Sequence, residues 1–255
     1  MRQSGSSPLD ETFVTTPDGV RLWTTVQGNG LLTVLVSNGG PGCCDYLAPL
    51  AALWEGEPRL RVVRWEQRGC GRSGGDPEGP FTLAQTVDDL EAIRAFYGGE
   101  RWVVAGHSWG ADLALIYALA HPGRALGLVC LAGGRMNNDR EWHAAYDRGC
   151  AEGRETHPEF AFPPNLVVNQ QLNAERKRDI QRPTLWREIA ALDVPALFLY
   201  GAEDIRPAWP VEQVACLMPS ARFLSIPGAD HYLYLTHPDT IRTETLAFLH
   251  SLPTD

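Results

Sequence analysis

Gly106-His107-Ser108-Trp109-Gly110 stands where an apolar run gives way to a helical pattern. Before it, Arg101-Trp102-Val103-Val104-Ala105 is β-branched and aromatic, the composition of a buried parallel strand; after it, Ala111 to Ala120 carries strong helix formers at most positions. A strand-to-helix turn therefore falls on Ser108. In the Gly-x-Ser-x-Gly pattern the glycines remove side chains that would collide with strand and helix. The serine can then take a strained backbone conformation with Oγ exposed at the carboxyl end of the strand. Serines between spaced glycines also occur in ordinary loops, and it is the flanking strand and helix that make Ser108 a candidate nucleophile.

Outward from this turn the chain alternates strand and helix. Residues 11–16 and 20–27 alternate apolar with polar around the turn Pro17-Asp18-Gly19, which predicts an antiparallel hairpin. Thr33 to Ser37, Arg61 to Trp65, Ala125 to Ala132, Pro195 to Tyr200 and Ala221 to Ile226 are further strands, several of them continuous apolar runs expected where both faces are covered. Helices are expected over 45–54, from Thr82 to the Gly98-Gly99 stop with Asp88, Asp89, Glu91 and Arg94 mainly on the wet face, near 211–217 and after Pro238. The pattern predicts an α/β fold: a mostly parallel, eight-stranded sheet with helices on both faces. From Gly133 to about Ile189 strand signal vanishes, and Trp142, Tyr146, Phe160, Phe162 and Trp186 are scattered among charges and prolines. This predicts a core of residues 1–132 and 190–255 with a helical cap inserted at 133–189.

Composition bounds the function. In 255 residues, 44% are apolar and 21% charged, which is globular, and the net charge of −9 disfavours nucleic acid as a partner. The densest basic group, Glu175-Arg176-Lys177-Arg178-Asp179, is flanked by acids and reads as a solvated helix face. No apolar stretch approaches the ~20 residues of a membrane span, and the first ten residues lack a basic start followed by an apolar run; a cytoplasmic location without membrane partners is expected. The six cysteines follow neither a disulfide nor a zinc pattern. Cys130 and Cys216 are expected in the core, and Cys43 and Cys44, beside a glycine-rich loop, as structural filler or as reactive thiols.

A serine hydroxyl needs a general base and a group to orient that base. The loop after the strand ending at Tyr200 contains Glu203 and Asp204, and the loop after the next strand contains His231. Ser108, Asp204 and His231 thus fall at carboxyl ends of strands in one parallel sheet, where ligands bind in open α/β sheets. Each has a plainer alternative: Asp204 as a helix cap with Glu203 as the acid, and His231 as one more surface histidine. The joint placement, in the order Ser, Asp, His, favours a catalytic triad. The N–H groups of Trp109, opening the next helix, and Gly40, in the loop Asn38-Gly39-Gly40-Pro41-Gly42, are the expected oxyanion hole. The second glycine-rich loop, from Glu66 to Gly75, lacks the Gly-Lys-Ser/Thr ending of a phosphate cradle. No metal and no cofactor are expected.

The loop at 38–42, the run Gln67-Arg68-Gly69-Cys70-Gly71-Arg72-Ser73, the turn at Ser108 and the acid and histidine loops together resemble the proline iminopeptidases, a branch of the α/β-hydrolase fold. The resemblance spans the expected core. It implies release of an N-terminal residue, usually proline, from a short peptide or small substrate by a serine nucleophile without metal. Three departures stand out: Asn38 where the family usually has His, Glu66 where it usually has Asp, and a shorter cap. That family's cap supplies acids for the substrate ammonium. Glu141, Trp142, Tyr146 and Glu203 are the expected substrate-binding residues, with Glu152, Glu155 and Glu159 also in the insertion. The alternative activity is hydrolysis of small carboxylic esters or amides. A catalytically silent binding protein is disfavoured because no triad residue is missing, and dehalogenase or epoxide hydrolase chemistry because Ser108 replaces the Asp of those relatives.

Overall fold

The computed structural model describes residues 10–253, so the first nine residues of the expected core lie outside the described ones. Its strands are β1 (Asp10–Thr15), β2 (Arg21–Gln27), β3 (Leu32–Ser37), β4 (Leu60–Trp65), β5 (Trp102–His107), β6 (Ala125–Leu131), β7 (Ala196–Gly201) and β8 (Ala221–Ile226). They form one sheet in the order β1-β2-β4-β3-β5-β6-β7-β8. The pairs β1–β2 and β2–β4 are antiparallel, and every pair from β4 onward is parallel.

The apolar runs dictate this arrangement. Strands β3, β5, β6 and β7 are buried along their whole length, and the period-2 pleat sends alternate residues to opposite cores. Leu35, Val104, Cys130 and Phe198 enter one core; Val34, Val103, Val129 and Leu197 enter the other. Helices α2 (Leu83–Tyr97) and α3 (Trp109–Ala120) pack into the first, while α1 (Ala48–Ala52) and α9 (Pro238–Ser251) close the second. Between β6 and β7 lie α4 (Arg140–Ala151), α5 (Leu166–Asp179) and α6 (Leu185–Ala191). α7 (Trp209–Leu217) joins β7 to β8, and the one-turn α8 (Leu233–Thr236) precedes α9. No helix among the described residues is long and apolar enough to cross a membrane.

Three local expectations are corrected. Helix α1 begins at Ala48, because Asp45 is occupied otherwise: its carboxylate accepts from Leu47 N–H and pairs with Arg64, while its own N–H donates to Glu66. Asp89, expected on the wet face of α2, is buried against Arg68 at 2.5 Å. Cys216 is exposed, because the inner face of α7 is set by Val211, Val214 and Ala215, and residue 216 falls off that stripe.

Two glycines let the strand–helix turn form. A Cβ on Gly106 would lie 2.1 Å from the Gly110 carbonyl, and one on Gly110 would lie 2.1 Å from Ser37 O. The obstacle in both cases is backbone, which cannot rotate away. Gly110→Ala is therefore expected to lower unfolding free energy by about 3 kcal/mol, measured by urea denaturation. A loss below about 0.5 kcal/mol would show that β3 and α3 are not held this closely.

Candidate active site

Ser108 has φ 56° and ψ −122°, a left-handed conformation that costs a non-glycine residue roughly 1–3 kcal/mol. It is held by its own N–H donating to Leu131 O at 2.8 Å and by its carbonyl accepting from Ala111 and Asp112 at the start of α3. The turn places Ser108 at the carboxyl end of β5 and at the amino end of α3. Trp109 is the first residue of that helix, where N–H groups lack intrahelical acceptors.

Asp204 and His231 come from the loops after β7 and β8, which are adjacent and in register through Gly201 and Ile226. Asp204 Oδ2 accepts from His231 Nδ1 at 2.6 Å, and its side chain is fully buried. Burial alone would raise the Asp204 pKa, but His231 and then Arg206 outweigh it and hold the carboxyl below the usual range. Because Nδ1 is committed to Asp204, Nε2 is the His231 nitrogen left for proton transfer. Glu203, the alternative acid, is exposed, and its N–H donates to Ala229 O.

His107, the residue before the serine, ties these loops together. Its ring lies 4.7 Å, centroid to centroid, from that of His231. His107 Nε2 is 2.9 Å from His231 O and its Nδ1 is 2.8 Å from Tyr46 Oη. A carbonyl only accepts, so Nε2 carries the hydrogen, Nδ1 is the acceptor and Tyr46 donates to it. Tyr46 Oη in turn accepts from Gly39 N–H at 2.7 Å. Burial, reinforced by His231, holds the His107 pKa well below its ordinary value, which keeps it neutral as this pattern requires. One hydrogen-bonded chain thus links the glycine-rich loop, the strand bearing Ser108 and the backbone of His231. The sequence reading assigned His107 no role; its place between Gly106 and Ser108 was the available signal.

A cavity of about 630 Å³ opens above Ser108. Gly40 and Trp109 line it, as do Trp142 and Tyr146 of α4, whose rings stack at 5.9 Å. Asn169, Asn173 and Lys177 of α5 form part of its wall. His231 and Asp204 border a narrow crevice beside it, together with Glu203 and Glu155.

Of the four residues expected to touch substrate, Trp142 and Tyr146 reach the cavity and Glu141 and Glu203 do not. Glu141 is exposed in the first turn of α4, where its N–H is capped by Asp139. Glu155 binds Arg206 through both oxygens at 2.9 and 2.5 Å, and Glu152 and Glu159 are exposed. The cavity is instead bordered by Arg135, Arg176, Lys177 and Arg206, with Asp112 as its acid. Arg176 corrects the solvated-face reading of 175–179: it is buried, lies 2.7 Å from Asp112 and donates to Arg135 O at 2.6 Å. Val168, Leu172 and Arg176 fall four residues apart on the inner face of α5. Burial pushes the Cys43 thiol up to about 11, which leaves little thiolate near neutral pH and suits the filler role. Among the described residues, no group of three or more His, Cys, Asp or Glu is placed to hold a metal ion.

A mostly parallel sheet with a serine turn and an adjacent acid–histidine pair at strand ends defines an α/β-hydrolase, and the chain belongs to that family: a family model described as alpha/beta hydrolase fold matches residues 33–161. A putative carbamate hydrolase, RutD, of Caulobacter sp. (strain K31) is 28% identical over 244 residues, covering 85% of this chain and 90% of that protein. Proline iminopeptidase of Xylella fastidiosa (strain Temecula1 / ATCC 700964) is 36% identical over 129 residues, 48% of this chain and 39% of that protein. The solved structure of proline iminopeptidase from Mycobacterium smegmatis superposes with a TM-score of 0.70 at 24% identity, covering 94% of this chain and 98% of that one. The chain thus resembles proline iminopeptidases in fold, and it spans about two fifths of the Xylella relative.

Proposed function

We propose that the protein is a serine hydrolase that cleaves small carboxylic esters or amides through an acyl-enzyme, with residues 133–189 acting as the cap of its substrate cavity. The observation that carries this reading is the 2.6 Å contact of His231 Nδ1 with the buried Asp204 carboxylate, beside the strained serine turn. In this scheme His231 Nε2 accepts the Ser108 proton as Oγ attacks the carbonyl carbon. The Gly40 and Trp109 N–H groups stabilise the oxyanion, and the imidazolium returns the proton to the leaving alcohol or amine. Water then attacks the acyl-enzyme with the same base.

Release of an N-terminal proline is the second reading, favoured by the 36% identity to a proline iminopeptidase over 129 residues. It requires a carboxylate for the substrate ammonium, since an unpaired buried charge costs several kcal/mol. The acid bordering the cavity, Asp112, is already bound by Arg176 and by the N–H groups of Gly134 and Arg135, which supports the first reading over the second. Rates on short acyl aryl esters, proline arylamide and N-acetylproline arylamide separate the two. Acyl esters are expected to be cleaved and the free and acetylated arylamides to be comparably slow. Proline arylamide turned over at least ~100-fold faster than its acetylated form, a difference of roughly 2.7 kcal/mol, would establish the aminopeptidase instead.

A further inference from the structure

We infer that the cavity above Ser108 selects substrates bearing a carboxylate, with the Arg135 guanidinium as its partner and Lys177 as a second positive charge; the inference rests on the serine hydrolase reading. Four cationic side chains border the cavity, but two are already neutralised. Arg206 is clamped by Glu155 and also reaches Asp204 Oδ1 at 3.2 Å. Arg176 is paired with Asp112, whose other oxygen takes the N–H groups of Gly134 and Arg135 at 2.8 and 3.0 Å. Asp112 makes no ion pair with the Arg135 side chain.

Arg135 has no ion-pair partner among the described residues, although Asp112 attracts it from further off. Its guanidinium donates once, to Asn137 O at 3.0 Å, and stacks 3.7 Å from the centroid of Trp142. Burial and the neighbouring Arg176 push its pKa down to about 10, so it still carries full charge near neutral pH. Four of its five N–H donors are left over, fixed in direction by the stacking, which is a geometry suited to a planar carboxylate. Asp112 is already shared with Arg176 and offsets this half-buried charge only in part, and a bound carboxylate in direct contact lowers the remaining cost. Lys177, exposed on α5 and without an ion pair among the described residues, adds attraction at the cavity edge. The Trp142 indole N–H is buried without a hydrogen-bond partner among the described residues and is a further donor on the same wall. The substrate class is then an ester or amide of an acid that carries a second, free carboxylate.

The test compares p-nitrophenyl hemisuccinate with p-nitrophenyl butyrate, esters of similar size that differ in the terminal carboxylate. Wild-type kcat/KM is expected to favour the hemisuccinate by roughly 10- to 100-fold, the factor a charge-assisted hydrogen bond commonly carries. Arg135→Gln should reduce the hemisuccinate-to-butyrate ratio at least tenfold, mainly through KM, and Arg135→Lys should restore part of it. Should Arg135→Gln not fold, Lys177→Glu, on an exposed face, is expected to lower the same ratio about threefold. Equal rates on the two esters, or faster butyrate cleavage, would overturn the inference and leave the serine hydrolase standing. If neither ester is cleaved, the hydrolase reading loses support, and calorimetry of succinate with Ser108→Ala protein decides the inference alone. Binding that Arg135→Gln abolishes sustains it; no binding, or inorganic phosphate binding as tightly as succinate, refutes it.

Discussion

Ser108→Ala is expected to lower kcat by about 10⁴-fold or more on whichever ester proves the best substrate, with the melting temperature unchanged within about 2 °C. The chemical part follows from removing the atom that attacks: without Oγ there is no acyl-enzyme, and what remains is binding plus whatever the oxyanion donors contribute. The stability part follows from the fold. The turn is held by Ser108 N–H on Leu131 O and by the Ser108 carbonyl on α3, contacts that alanine keeps. Alanine carries the same Cβ at the same positive φ, so the strain is not altered. Steady-state kinetics and a thermal melt on the same preparation check both halves. Residual activity within tenfold of wild type would place the nucleophile elsewhere.

Asp204→Asn should be nearly as severe, about 10⁴-fold in kcat, because the amide no longer holds a proton on His231 Nδ1 and the imidazole can present its hydrogen, instead of its lone pair, towards the serine. Glu203→Gln, one residue away, is expected to change kcat less than twofold, since that side chain is exposed, does not line the cavity above Ser108 and makes no hydrogen bond to His231 Nδ1, which is held by Asp204. Equal losses from the two substitutions would reverse the assignment of the acid. The pair also predicts a pH dependence of stability. The Asp204 carboxyl is held below its ordinary range when folded, so the unfolded chain binds its proton more readily. Its contribution to stability is therefore complete above about pH 4, the usual carboxylate range, and falls away below it. The stability gap between wild type and Asp204→Asn should narrow as pH drops through that region, measured by denaturant titration at several pH values.

Much of this architecture can be read from residue pattern. Continuous apolar runs marked β3, β5, β6 and β7, and glycines 106 and 110 marked the turn, because each is a local requirement visible within a few residues. The Asp204–His231 pair was legible for a related reason: strand ends in one parallel sheet are placed by topology, and the residues after them inherit that placement. The cavity wall was not legible. Arg176 looks like one more charge in a run of five, and its burial depends on Asp112, far away in the chain, on a helix from the core. Arg135 and Glu155 follow the same pattern. Whether a charge is paired or free depends on contacts that sequence spacing does not encode, and so the acids expected to greet an ammonium proved exposed or already engaged. Tyr46 and His107 were missed because their roles lie in hydrogen bonds to Gly39 N–H and His231 O, which leave no periodic trace.

The distance along the chain between Ser108 and His231 has a consequence in time. At ordinary rates of synthesis the histidine is added roughly 6 to 25 s after the serine. Among the described residues β8, which positions the His231 loop, pairs only with β7, so on the serine hydrolase reading the base is not set in place until β8 has been made and docked. On that reading a nascent chain already carrying the complete Gly106–Gly110 turn is expected to be mute towards a serine-directed probe such as a fluorophosphonate, with labelling beginning when β8 docks. Onset of that labelling would then report docking of β8 onto β7 and serve as a clock for the protein's own folding.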